Sequence, residues 1–153
     1  MPRFVKLILF LITILWLAGI FSEWLTRING DVLYAVPILR YTYSLVCHQI
    51  KDRLISRGGF ETMVCARCTG IYTGAAFSSA ILLFLNFKKR PEIKYLFISA
   101  IPLVLDVFLH TLGVYHYSKS IAFMTGLLLG SVGFLYLYEA LNRLFIDIKN
   151  GIK

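Results

Sequence analysis

Apolar residues occupy this chain in long blocks, and polar residues collect in the short gaps between them. The first block, FVKLILFLITILWLAGIFSEWL, runs from Phe4 to Leu25, with Arg3 just before it and Lys6 near its start. A span needs about 20 predominantly apolar residues, so this run is long enough to cross a bilayer. Secretory signals also open with basic residues, but no small-x-small cleavage site follows, and a retained signal anchor is expected. The block TGIYTGAAFSSAILLFLNF, Thr69 to Phe87, holds no charged residue, and two more apolar blocks cover about Tyr95–Val114 and Ser120–Leu144. Transmembrane helices are therefore predicted at about 4–25, 69–87, 95–114 and 120–144.

The segment 31–50, DVLYAVPILRYTYSLVCHQI, is ambiguous. It is long enough to span, yet Arg40 lies at its centre and Pro37 interrupts it. A basic residue at mid-bilayer costs about 2.5–3.5 kcal/mol on insertion scales unless it is paired. The segment reads either as a re-entrant or partial helix, or as a fifth span with Arg40 turned into the bundle.

Composition sharpens the class. Of 153 residues, 58% are hydrophobic and only 16% charged, with a mean hydropathy of +0.74. Soluble domains carry about 25% charged residues. One integral membrane domain over residues 1–153 is expected: an all-α, polytopic helical bundle with four transmembrane helices plus a re-entrant or partial helix, or five spans. The formal net charge of +8 reads as a topology signal and as contact with membrane lipids. No helix-turn-helix, RNA-binding signature or long basic tract is present, so nucleic acid is not an expected partner.

Charge also predicts orientation. KKRPEIK, Lys88 to Lys94, is the most basic short loop and is expected in the cytoplasm. One span away, Cys65 and Cys68 then emerge at the outer face of the cell membrane. With four spans, both termini are cytoplasmic. Against that rule, the outer segment carries Arg27, Arg40, Lys51, Arg53 and Arg57. These either pair with Glu23, Asp31, Asp52 and Glu61, touch lipid phosphates, or bind a phosphate or carboxylate.

The candidate chemistry sits in one polar interruption, SLVCHQIKDRLISRGGFETMVCARCTGIY, residues 44–72, which holds all three cysteines. An odd number of thiols cannot pair fully within one chain. Cys65-Ala66-Arg67-Cys68 is a CxxC at the mouth of a span, a spacing that brings two sulfurs onto one ion or into one disulfide. Cys47-His48 lies upstream, and a Cys/His contribution followed by CxxC is a familiar zinc arrangement. Cys47, Cys65 and Cys68 with His48 or His110 would give a tetrahedral site of three sulfurs and one nitrogen. The plain alternative is packing, since a free cysteine behaves as a small hydrophobe.

Asp106 and His110 are four apart and share a helix face in the third predicted span. A carboxylate inside a span is expensive and therefore a functional candidate. Asp106 would orient His110, bind metal, or pair with Arg40 or Arg67. His116 in the following loop is a weaker ligand candidate. Gly70-x-x-x-Gly74 and Gly126-x-x-x-Gly130 are expected to let helices approach closely.

The residues Cys47-His48-Gln49, Arg53, the run VCARCTGIYTG, Asp106 and Thr125-Gly126 together resemble a family of small prokaryotic membrane proteins, domain of unknown function 2085. His110 stands where that pattern usually has glutamine. The resemblance implies no established activity, so function rests on the residues themselves. The leading expectation is an outward-facing site for zinc or another transition metal on Cys47, Cys65, Cys68 and His48 or His110. Asp106, Arg67 and Arg53 are the candidates for supporting chemistry on a membrane-associated substrate. A thiol–disulfide oxidoreductase using Cys65 and Cys68 is the second reading. A transporter or its accessory subunit is the third, and its few spans would require a homo-oligomer.

Overall fold

The computed structural model describes residues 3–26, 34–85 and 92–151, apart from the side chains of 148–150. Arg27, Asp31 and residues 88–91 of the basic loop lie outside the described residues. Helix α1 covers Arg3–Ile20, α2 is a single turn at Ser22–Leu25, and α3 covers Val36–Ser44. A 3-10 turn at Lys51–Arg53 leads into strands β1 (Leu54–Arg57) and β2 (Phe60–Cys65). Helices α4 (Ala66–Phe84), α5 (Lys94–Thr111) and α6 (Lys119–Gly151) complete the chain.

The protein is thus mostly helical, but not all-α. The polar interruption folds into a two-stranded antiparallel hairpin. Its turn is Gly58-Gly59, with φ of +62° and +82°, the pair of positive values that a two-residue type I′ hairpin turn demands and glycine supplies. The register pairs Leu54 with Cys65 and Arg57 with Phe60, with an irregularity between Leu54 and Ser56. There the Ile55 amide donates to Thr62 Oγ1 at 3.1 Å, so a side chain satisfies a backbone group that the ladder misses.

Three helices among the described residues are long and apolar enough to cross a membrane: Arg3–Ile20, Lys94–Thr111 and the Lys119–Asp147 part of α6. The fourth long helix, α4, is less greasy because its role is contact. It is packed between α1 and α6, and its buried positions include Thr69, Gly70, Gly74, Ala76, Ser78 and Ser79. The two glycine pairs interlock α4 with α6. A Cβ on Gly70 would lie 2.1 Å from the Phe123 carbonyl oxygen, and one on Gly130 would lie 2.0 Å from that of Ile71. Gly74 and Gly126 approach Leu127 and Arg67 in the same way. Only hydrogen fits there, so the backbones touch and small residues replace large ones.

Helix directions follow from the contacts. Gly70 meets Phe123 and Gly74 meets Leu127, so α4 and α6 run parallel. Lys6 Nζ donates to the Leu82 carbonyl at 3.0 Å, while Trp16 meets Tyr72 near the other end, so α1 is antiparallel to α4. Arg67 at the start of α4 meets Asp106 late in α5, so α5 is antiparallel as well. One end of the bundle therefore gathers the end of α1, the hairpin, and the start of α4, with the end of α5 and the start of α6.

Helix α3 caps that end. Pro37 occupies its first turn, where a missing N–H costs nothing, so the proline starts this helix instead of interrupting it. Its nine residues rise only about 14 Å at 1.5 Å each, short of a hydrocarbon layer about 30 Å thick. Tyr43 pins it down: its hydroxyl donates to the Trp16 carbonyl at 2.7 Å, and its ring meets Trp16 edge-on at 4.9 Å. Gly19 leaves the room, since a Cβ there would strike the Tyr43 hydroxyl at 2.3 Å. Arg40 is on the outside and pairs with Glu23 of α2.

Candidate metal centre

The register of the hairpin builds the site. Because Leu54 faces Cys65, Arg53 stands beside the point where β2 turns into α4. Cys65 is the N-cap of α4, in an extended conformation, and Cys68 lies within the first turn. Cys47 comes from the loop after α3. It is buried in a small core with Ile20, Tyr43, Met63 and Val64, against which Cys65, Cys68 and Tyr72 pack. The sulfurs of Cys47, Cys65 and Cys68 all lie within 4.8 Å of one another, and all three cysteines are free of disulfides.

Gln49 holds the loop that delivers Cys47 and His48. Its φ is +48°, a left-handed conformation that a residue with a Cβ adopts only where its surroundings hold it. The hold is visible: its Nε2 donates to the Arg40 and Met63 carbonyls, each at 2.9 Å. Glu23 closes the cap from the other side, accepting from the Glu61 amide at 3.0 Å while pairing with Arg40.

The setting favours a sulfur anion at Cys47. The Cys65 amide donates to Cys47 Sγ at 3.2 Å, and the N-terminal end of α4 presents its positive dipole to the cluster. Hydrogen bonding from the Cys65 thiol, then from Cys68, holds the Cys47 thiol well below the usual thiol range. An open cleft of about 210 Å³ reaches the cluster, lined by Val46–Ile50, Arg53, Cys65, Arg67 and Cys68.

The donor set fits a soft or borderline metal. Tetrahedral zinc with sulfur bonds near 2.3 Å places its sulfurs about 3.8 Å apart, so a contraction of roughly 1 Å would suffice. No histidine nitrogen joins the three sulfurs among the described residues. His48 is exposed and lines the cleft. His110 Nε2 stands 3.5 Å from Arg53 Nη2, and its ring packs on Tyr117 at 5.5 Å. His116 is exposed in the loop.

Asp106 is 4% exposed and pairs with Arg67, not Arg40. It also accepts from the Tyr115 hydroxyl. This buried group ties α4, α5 and the α5–α6 loop together directly behind CxxC. The Arg53 guanidinium lies over the Tyr117 ring at 5.3 Å, and burial pushes that tyrosine's phenol above its usual range. Glu23, expected as an arginine partner and found on Arg40, and Gln49, part of the Cys47-His48-Gln49 motif, thus support the site. Tyr115 and Tyr117 do too, although no spacing rule in the sequence assigned them a role. Their signal was a position in a neighbouring gap.

Long apolar helices packed through glycine contacts, with a polar cap at one end, define a helical membrane protein. Residues 47–136 match the family model described as "Predicted membrane protein (DUF2085)", and the chain belongs to that family. It is similar to an uncharacterized protein of Methanocaldococcus jannaschii, 36% identical over 108 residues, covering 69% of this chain and 65% of the relative. The chain thus spans about 65% of that relative's length. A second uncharacterized protein, from Methanothermobacter thermautotrophicus, is 32% identical over 112 residues, 72% of this chain and 97% of the relative. No solved structure matches.

Proposed function

We propose that this protein is a four-span membrane protein carrying a metal centre on Cys47, Cys65 and Cys68 at its outer face. The observation that carries this reading is the meeting of three unlinked sulfurs, from two separate segments, at the floor of an open cleft. Zinc suits the thiolate donors, and the exposed His48 or a water would take the fourth position. An open fourth position would make the centre a Lewis acid toward a membrane-associated substrate, whereas closure by His48 would make it structural. Arg53 flanks the cleft and would orient the substrate. Arg67 and Asp106 hold the start of α4, and with it Cys65 and Cys68, against α5. Four long helices with α3 as a partial helix support four spans. The basic residues near the opposite end, Arg3 and Lys94 among them, support a cytoplasmic side there. Elemental analysis of full-length protein purified in detergent tests the centre, with Cys47→Ser and Cys68→Ser proteins as controls.

The same approach of the sulfurs favours a second reading, reversible thiol–disulfide exchange by Cys65 and Cys68. Thiol trapping across defined redox buffers separates the two. A metal centre protects all three thiols until chelator is added, and an exchange pair titrates with potential.

A further inference from the structure

The cleft above the sulfurs has a composition of its own. Its cationic side chains are Arg53 and Arg67, its anionic charge is the Cys47 sulfur below them, and no carboxylate among the described residues lines it. Arg67 is committed to Asp106 through Nη2. Arg53 has no carboxylate partner among the described residues; it rests on the face of Tyr117 and against His110. An arginine fixed by an aromatic ring, with one long contact from Nη2 to His110 and no carboxylate on its fork, keeps donors for an oxyanion. Apolar side chains line the cleft as well. Val46 and Ile50 are 48% and 45% exposed, and they continue a row of exposed apolar residues, Ile38, Tyr41 and Leu45, along α3. Cation and open apolar surface on one cleft match a headgroup joined to an acyl chain. The cleft lies at the end of the helix bundle, where bilayer phosphates lie if the helices span. Its volume of about 210 Å³ is several times the roughly 30 Å³ share of one water molecule. That admits a phosphate group but not a whole lipid.

We propose that this cleft binds a phosphate group on Arg53, with the apolar lip of Val46 and Ile50 selecting a phospholipid as its bearer. This names the ligand class of the metal-centred site and so rests on that reading, and metal content is measured on the same samples so that the two fail separately.

The test is a native mass-spectrometry titration of the full-length protein in detergent with phosphatidic acid, with diacylglycerol of the same chains, and with inorganic phosphate as competitor. Phosphatidic acid should bind at least about tenfold tighter than diacylglycerol, the scale of one charge-assisted contact. Arg53→Gln should remove that preference and Arg53→Lys restore part of it. Arg57→Gln, which deletes the same charge on the exposed hairpin, should leave it unchanged. Resistance to millimolar inorganic phosphate would support the phospholipid as ligand, whereas displacement by it would keep the phosphate site on Arg53 but overturn the phospholipid as its bearer. Equal binding of the two lipids, or equal loss in the Arg53 and Arg57 variants, would overturn the site itself. Loss of preference with metal content intact places the failure in the cleft alone.

Discussion

Asp106 and Arg67 show what a single buried charge does in this molecule. Each would be costly alone at the edge of an apolar bundle; together, with the Tyr115 hydroxyl on the second carboxylate oxygen, they lock α5 to the first turn of α4. Removing one partner leaves the other uncompensated, which typically costs about 3–5 kcal/mol when a buried pair is broken. Asp106→Ala should therefore lower the thermal midpoint strongly and loosen metal binding, while Asp106→Leu with Arg67→Met should recover much of the stability. A double variant no better than the single one would show that the pair is not the source. Cys47 gives a pH prediction. Its lowered folded value means its contribution to stability is complete above the unfolded thiol value, about 8.5. That contribution shrinks as pH falls from there toward the folded value. In metal-free protein, mass-mapped alkylation of Cys47 should persist to lower pH than for a free thiol, and Cys65→Ala should shift its profile upward because the first donor to Cys47 is gone. An unshifted profile would contradict the hydrogen-bonding account. At this scale the sequence was legible wherever chemistry is scarce. Three cysteines in one polar gap, and one aspartate in an apolar run, single themselves out. Tyr117 did not, because tyrosines near a membrane surface are common, and only its contacts with Arg53 and His110 reveal its work.

Between elements, the contact of α4 with α6 rests on four glycines whose missing side chains set the helix separation. Gly130→Ala would drive a methyl into the Ile71 backbone, whereas a Cβ on Gly133 meets nothing within 4 Å. Gly130→Ala should thus cost about 1–3 kcal/mol by overpacking. Gly133→Ala should be neutral or stabilising by up to about 1 kcal/mol from helix propensity. Thermal unfolding in detergent compares them, and equal effects would contradict the interlocked geometry. This contact could be read from the G-x-x-x-G spacing because close approach needs small residues at that period. The hairpin was missed for a physical reason as well. Gly58-Gly59 is a hairpin turn signal, but strands of four and six residues are too short to establish alternation. Pro37 was read as an interruption, but it occupies the first turn of α3, and the packing of Tyr43 on Gly19 holds that helix to the bundle. The first apolar block likewise breaks at Phe21 to make α2, which places Glu23 for Arg40 and Glu61.

Across the whole molecule, the alternating directions of α1, α4, α5 and α6 put the cysteine cap at one end and the N-terminal end of α1 with the C-terminal half of α6 at the other. In a bilayer this arrangement predicts both termini on the side opposite the cysteines. Reporter fusions at the two ends should therefore agree in sidedness, and opposite sidedness would indicate a fifth crossing. Apolar blocks made the class visible because a bilayer leaves so few ways to satisfy a backbone. The cap was hidden because its fold depends on contacts between segments far apart in the chain. Its purpose in this account is to hold three sulfurs around one ion, and that claim is open to one direct measurement. Full-length protein purified under reducing, chelator-free conditions should carry about one zinc or other transition-metal ion per chain, with all three thiols blocked from alkylation until the metal is stripped. Cys47→Ser should lower occupancy sharply, even if the protein still extracts and folds. Below about 0.2 metal per chain, with native thiols intact and freely alkylated, the sulfurs would be packing residues and the metal centre would be contradicted.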